Sequence, residues 1–262
     1  MKTFSAKTFS SGLDADTVLY LNQLTTYPTP PRVAVIDTLV RALKTSGNWA
    51  LLDRLWLLAS ETAQAGYVSL VNPTSTQITN VNNATFTVDR GIAGNDSNMY
   101  LNTNWNPATQ GVNFVRDSAS MFYYSRTNSA ASSKNDVGAK SGTQGLLMNA
   151  RNATSVMTGT INSLNAGSTG SNTNSSGLID SIRTGASAVT SGRNGVSIFS
   201  TTPASIAIES YNLYIMAGNN AGTADSFTSR QYSLVAAGGG GVNRLSFYNI
   251  IQAYMTSIGA QV

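Results

Sequence analysis

The groups available for acid–base chemistry are ten aspartates and two glutamates, Glu61 and Glu209, in a chain without histidine or cysteine. That absence removes the commonest general base, the usual transition-metal ligands and the thiol nucleophile. A hydrolytic triad and a zinc site have nothing to build on. Glycoside hydrolysis needs two carboxylates flanking the scissile bond, and Glu209 has no acidic neighbour within fifteen residues. Gly238–Gly241 lacks the Lys-Ser/Thr of a phosphate-binding loop and reads as a flexible joint. The expectation is a chain that is not an enzyme and carries no cofactor.

Binding without catalysis asks for less. Asn104-Trp105-Asn106 follows a predicted strand, and an exposed indole there would offer a flat apolar face to a sugar ring while the amides address its hydroxyls. Asn219-Asn220, followed by Ala221-Gly222-Thr223 and Asp225, is a second glycan-binding candidate. Calcium takes oxygen ligands alone, so Asp89, Asn95 and Asp96 are weak candidates for it. Each group has an alternative reading as turn chemistry, since Asn and Asp stabilise turns through their own side chains. For Trp105 the alternative is an indole packed under a loop.

Sixteen basic and twelve acidic side chains leave a formal charge of +4. Eleven of the basic residues are arginines, scattered singly from Arg32 to Arg244. Nucleic-acid affinity comes largely from clustered cations on phosphates, so nucleic acid is not an expected partner. Hydrophobic residues make up 41% and charged residues only 11%, with Ser, Thr, Asn and Gly carrying solubility. No uninterrupted apolar run reaches the roughly 18 residues of a membrane span. Met1–Lys7 is not followed by an apolar stretch, so a secretory signal is not expected and synthesis in a cytoplasm is.

Two kinds of element must position these residues. Asp14-Ala15-Asp16 precedes a short helix through Leu24, and Tyr27-Pro28-Thr29-Pro30-Pro31 breaks it. Pro31 suits the first turn of a second helix, whose stripe is Ile36, Leu39, Val40 and Leu43 before Gly47. Asn48 is placed to cap a third, carrying Trp49, Leu52, Leu55, Trp56 and Ala59. Residues 1–64 therefore read as a helical module. From Ala65 the period changes to two, with turn residues between short runs. Predicted strands are 85–88, 98–103, 119–125, 145–150, 155–164, 178–183, 196–200, 211–217 and 231–236. Leu245, Tyr248, Ile251 and Ile258 then predict a closing helix ended by Gly259. Residues 65–262 thus read as an antiparallel β-sandwich with a C-terminal helix. In Ser163–Gly177, thirteen of fifteen residues are Ser, Thr, Asn or Gly. Such a segment cannot offset its own ordering entropy, so it is expected to be a mobile loop or a ribbon ordered by a neighbouring subunit.

The order of these features resembles a family of tailed-bacteriophage structural proteins. The segments concerned are Ala34–Val40 with Leu43-Lys44, Gly47-Asn48-Trp49 and Leu52-Asp53. Asn72-Pro73, Thr85-Phe86-Thr87, Tyr100–Thr103 and Tyr214–Thr223 are similar to that family's concanavalin A/laminin-G-like jelly roll. Tyr248-Asn249 and Ala253-Tyr254-Met255 before Gly259 resemble its closing helix. The resemblance implies a non-catalytic virion protein, a head-decoration or tail-associated subunit assembled in the host bacterial cytoplasm. It implies other virion proteins as partners and a homo-oligomer. A receptor-binding or glycan-adhesion protein on the same scaffold, with host surface glycan as partner, is the alternative.

Overall fold

The computed structural model describes residues 12–142, 144–164 and 168–262. The Met1–Lys7 reading, and the middle of the Ser/Asn/Gly-rich segment, lie outside these. Among the described residues the strands form two stacked sheets of eight and nine strands. Sheet one runs, in spatial order, β13 (Val196–Thr201), β12 (Ala188–Arg193), β11 (Gly177–Gly185), β6 (Ala119–Ser125), β17 (Gln231–Gly238), β4 (Gly91–Ala93) and β3 (Thr85–Thr87). β1 (Leu52–Trp56) also pairs with β17, opposite Val235–Gly238. Sheet two runs β10 (Thr169–Ser171), β9 (Val156–Leu164), β8 (Gln144–Asn149), β7 (Val137–Ser141), β14 (Tyr214–Ile215), β5 (Tyr100–Asn102) and β2 (Thr79–Val81). A hairpin of β15 (Gly218–Asn220) and β16 (Thr223–Asp225) joins it through a parallel pairing of β15 with β7. The remaining strand pairings in both sheets are antiparallel, so the sandwich is the mainly β architecture expected from the sequence.

Helices flank it at both ends of the chain: α1 (Ala15–Leu21), α2 (Pro30–Thr45) and α5 (Arg244–Ser257), with the single turns α3 (Ala63–Tyr67) and α4 (Pro107–Gln110) between. Asp14 caps α1 by accepting from the Asp16 N–H, and Asn243 caps α5 through Ser246. The caps satisfy N–H groups that have no partner inside the helix. α2 and α5 lie side by side on the outer face of sheet one. In β6, Met121 and Tyr123 enter the core between the sheets, whereas Phe122 and Tyr124 enter the core under the helices. β17 divides likewise, Val235 and Ala237 inward, Leu234 and Ala236 toward the helices. The central strands of sheet one are thus buried on both faces.

That double burial accounts for the difference from the expected helix at 48–59. The expected third helix at 48–59 is a single 3-10 turn, Trp49–Leu51, followed by β1. Leu55 faces the helices and Trp56 the other sheet, so apolar residues on both faces erase the alternation that marks a strand. Gly238–Gly241 is not a loose joint either. A Cβ on Gly240 would lie 1.9 Å from the Arg183 carbonyl oxygen, and one on Gly238 would lie 2.2 Å from that of Leu51. These glycines permit close backbone packing. In the Ser/Asn/Gly-rich segment, β10 pairs with β9 of the same chain. Asn172 donates to the Ala150 carbonyl at 2.7 Å, and the Ser175 hydroxyl reaches the Thr127 and Ser129 carbonyls at 2.9 Å each. The described part of the ribbon is ordered by its own chain's side-chain hydrogen bonds.

One buried charge under the helices has a consequence for pH. Asp180 on β11 receives the Arg244 guanidinium of α5 at 2.7 Å, but its Oδ2 has no hydrogen-bond partner. Burial outweighs Arg244 and raises its pKa from 3.8 to about 6. The folded state therefore holds this proton more tightly than the unfolded chain. The contribution is fully present below pH 3.8 and is lost as pH rises through about 6, a fall of about 3 kcal/mol. Asp180→Asn should flatten that part of the stability profile between pH 4 and 7 in urea titrations. An unchanged slope would show that Asp180 does not titrate in this window.

Candidate functional site

Strands β7, β8 and β9 send alternate residues to opposite faces. Val137, Ala139, Leu146, Met148, Met157 and Ile161 enter the core, which leaves Lys140, Leu147, Asn149 and Thr158 on the outer face. The buried side chains of α1, α2 and α5 pack with sheet one, so this face is not under them. It carries a groove of about 250 Å³, lined by those four residues with Lys134, Asn135 and Ser226 among others.

Lys140 is only 7% exposed, and its ammonium lies 2.8 Å from the Asp225 carboxylate on β16. Asn220 donates to the same carboxylate at 3.1 Å and accepts from the Gly142 N–H at 2.9 Å, tying the hairpin to the end of β7. Gly218 allows this approach. A Cβ there would lie 2.6 Å from Asn135 Nδ2 and 2.8 Å from Lys140 Cε. On another side, Lys134 donates to the Asp96 carbonyl at 3.1 Å and sits 3.8 Å from its carboxylate.

The floor is held from beneath. Asn149 donates to the Ala131 and Lys134 carbonyls at 2.8 Å each, and its Oδ1 accepts from the Arg151 N–H and from Arg230. Its hydrogen-bonding capacity is committed to the protein. Arg230 and Asp136 are fully buried and 2.6 Å apart. The Tyr123 and Tyr232 hydroxyls donate to Asp136 at 2.6 and 2.5 Å. Burial would lower the Arg230 pKa, but Asp136 outweighs it and the net direction is up. Both tyrosines are pushed well above 10, by burial first and by the Asp136 charge second. This network joins β6 and β17 of sheet one to the β7–β8 side of sheet two.

The residues singled out in the sequence fall elsewhere or serve the frame. Trp105 is 1% exposed, its ring 6.5 Å from that of Trp56 and 5.8 Å from that of Phe114, both edge-on. Arg54 lies over its face at 5.8 Å. Stacking on a sugar requires an open ring face, and this indole has none. The covering loop is held by Asp53, whose carboxylate accepts from the N–H groups of Val112, Asn113 and Phe114. Asn104 takes a positive φ of 54° and donates to the Gln77 carbonyl, while Asn106 caps α4. Asn219 closes its own turn, accepting from the Gly222 N–H and donating to the Asn212 carbonyl. Asp89 is paired with Arg32 at 2.7 Å, and Asn95 accepts three successive N–H groups, those of Ser97, Asn98 and Met99. Asp96 accepts the Ser229 N–H. Among the described residues no group of three or more carboxylates could hold a metal ion, and no helix is long and apolar enough to cross a membrane.

Lys134, Lys140, Thr158 and Ser226 belong to no motif in the sequence. Two of only five lysines in so short a stretch was the available signal.

Compared with models of known protein families and with curated proteins, the chain matches none. Among solved structures it is similar to the Trypanosoma rangeli sialidase in complex with 2,3-difluorosialic acid (covalent intermediate), at 13% identity and a TM-score of 0.55. The same sialidase in complex with 2,3-difluoro-KDN is similar at 12% identity and 0.53. Both alignments cover 88% of this chain and 40% of the sialidase chain. Domain 4 of AbnA, an extracellular arabinanase from Geobacillus stearothermophilus, in complex with arabinotriose, aligns at 11% identity and 0.42, over 77% of this chain and 98% of that one. The chain thus spans well under half the length of the sialidases, and what it shares with them is a fold.

Proposed function

We propose that this chain is a non-catalytic binding module that holds a saccharide in the groove on the outer face of β7–β9. One observation carries the reading: a polar concavity built on paired strands, in which Lys134 and Lys140 are each paired with a carboxylate of a neighbouring segment. Ligand sites are concave, with a few polar groups held in place by a rigid frame, and donors fixed in advance lose less freedom on binding. Asn135, Thr158 and Ser226 supply further polar groups for hydroxyls. The test fills the groove. Thr158→Trp should leave the melting temperature near that of the wild type and abolish adsorption to host-surface glycan. Adsorption that survives the filled groove would overturn the reading.

The bacteriophage-like motifs between Ala34 and Gly259 support placing this module on a virion, as a decoration or tail-associated subunit in several copies. In this setting the glycan is the host's and the partners are other virion proteins. Mass spectrometry of purified particles tests the placement, and absence of the chain from them would remove it without touching the groove.

A further inference from the structure

We infer that Lys140 and Asn220 join in an intramolecular isopeptide bond, an amide between Lys140 Nζ and Asn220 Cγ, with Asp225 moving the protons. The linkage does not depend on a ligand in the groove. Lys140 and Asn220 are register partners in the parallel pairing of β7 with β15, and the Ala221 N–H donates to the Lys140 carbonyl at 2.9 Å. Their side chains therefore start from adjacent backbone held in place. They converge on one atom. Asp225 Oδ2 accepts from the Lys140 ammonium at 2.8 Å and from Asn220 Nδ2 at 3.1 Å. Nucleophile and leaving nitrogen thus share a carboxylate oxygen, where a general base and acid must stand. At the other end of the amide, the Gly142 N–H donates to Asn220 Oδ1 at 2.9 Å. That contact settles which amide atom is oxygen, and it aims a donor at the atom on which negative charge builds during attack. Gly218, opposite Asp225 in the hairpin, makes room for the group. A Cβ there would lie 2.8 Å from Lys140 Cε and 2.9 Å from Asp225 Oδ1. Lys140 is 7% exposed and Asp225 Oδ1 is buried without a partner, so a proton passes between them with little competition from water. The remainder of Asp225 is the open side of the group, and it gives the leaving nitrogen a way out.

The reaction balances within these side chains. The Lys140 ammonium gives a proton to Asp225, and the free amine attacks Asn220 Cγ to form the Nζ–Cγ bond. The Cγ–Nδ2 bond then breaks. Of the three ammonium protons, one stays on the new amide. The other two pass through Asp225 to the leaving nitrogen, which departs as ammonium. Nothing is oxidised or reduced, and Asp225 ends as a carboxylate. The product ties the β15–β16 hairpin covalently to β7.

The experiment is mass spectrometry of the whole chain, denatured after prolonged incubation of the folded protein at neutral pH. The wild type should be lighter than its sequence by one ammonia. Trypsin should fail to cut after Lys140 and should release a branched peptide joining residues 135–151 to 194–230. Lys140→Arg keeps a cation beside Asp225 but lacks the amine nucleophile, and Asp225→Asn lacks the proton carrier. Both variants should lose no ammonia and give separate peptides. A branched peptide in either one would overturn the role assigned to the replaced group. A wild type that loses no ammonia overturns the linkage and leaves Lys140 and Asp225 as an ion pair. Loss of ammonia with normal cleavage after Lys140 overturns it as well, because a succinimide at Asn194-Gly195 would account for that mass.

Discussion

Asp136→Ala should lower the unfolding free energy by about 3–5 kcal/mol, the usual cost of leaving one partner of a buried ion pair uncompensated. Arg230 would remain fully buried without its counter-charge, and the hydroxyls of Tyr123 and Tyr232 would lose their acceptor. An unsatisfied buried donor carries its own desolvation penalty. Against a total stability of about 5–15 kcal/mol for a folded domain, the loss is severe. Urea unfolding monitored by tryptophan fluorescence measures it. The double replacement Asp136→Leu with Arg230→Met should recover much of the deficit, because apolar residues of similar volume often substitute for a buried pair at little cost. A single variant within about 1 kcal/mol of the wild type would show that the network is not what joins the sheets.

Trp105→Ala should cost a similar amount, about 3–5 kcal/mol, which in a chain of this size lowers the melting temperature by on the order of 10 °C. The indole fills the contact between Trp56, Phe114 and the Asp53-held loop, so its removal leaves a cavity beneath that loop. Trp105→Phe sharpens the test. The indole N–H is buried without a partner, and phenylalanine removes it while keeping most of the ring, so the loss should be well below that of alanine. Saccharide binding by Trp105→Phe should match the wild type. Lost binding at an unchanged melting temperature would instead return Trp105 to the ligand site.

Much of the sandwich could be read in advance because several strands keep one dominant signal. The pattern gives Ala119–Ser125 its observed limits, and the expected strand 231–236 is two residues shorter than β17. β1 was misread because both its faces are buried, and Leu52, Leu55, Trp56 and Ala59 imitate a helical stripe. β7, with the sequence Val-Gly-Ala-Lys-Ser, and β12, with Ala-Val-Thr-Ser-Gly-Arg, were missed. Their small side chains carry little hydrophobic contrast from which to read a period. The groove was hidden for a different reason. Lys140 and Thr158 lie on different strands, Lys134 and Ser226 on separate loops, and only the pairing of β7, β8 and β9 brings them to one face. The turn alternative for the Asn and Asp groups agrees with the structure at Asp89, Asp96 and Asn104, all at positive φ.

β17 is the final strand along the described chain, yet it lies between β6 on one side and β1 with β4 on the other. A polypeptide emerging from the ribosome therefore makes the borders of a gap before it makes the piece that fills it. Leu55, Trp56 and Ile92 emerge first, while the backbone they pair beside, Gln231–Gly238, emerges much later. Such distant pairings carry a large closure entropy and slow folding. Throughout elongation β6 and β1 are left with unpaired hydrogen-bonding edges, the kind of surface on which nascent chains associate wrongly. Synthesis of this protein thus makes its demand on chaperones until Gln231–Gly238 has emerged, when one strand closes sheet one and α5 covers it.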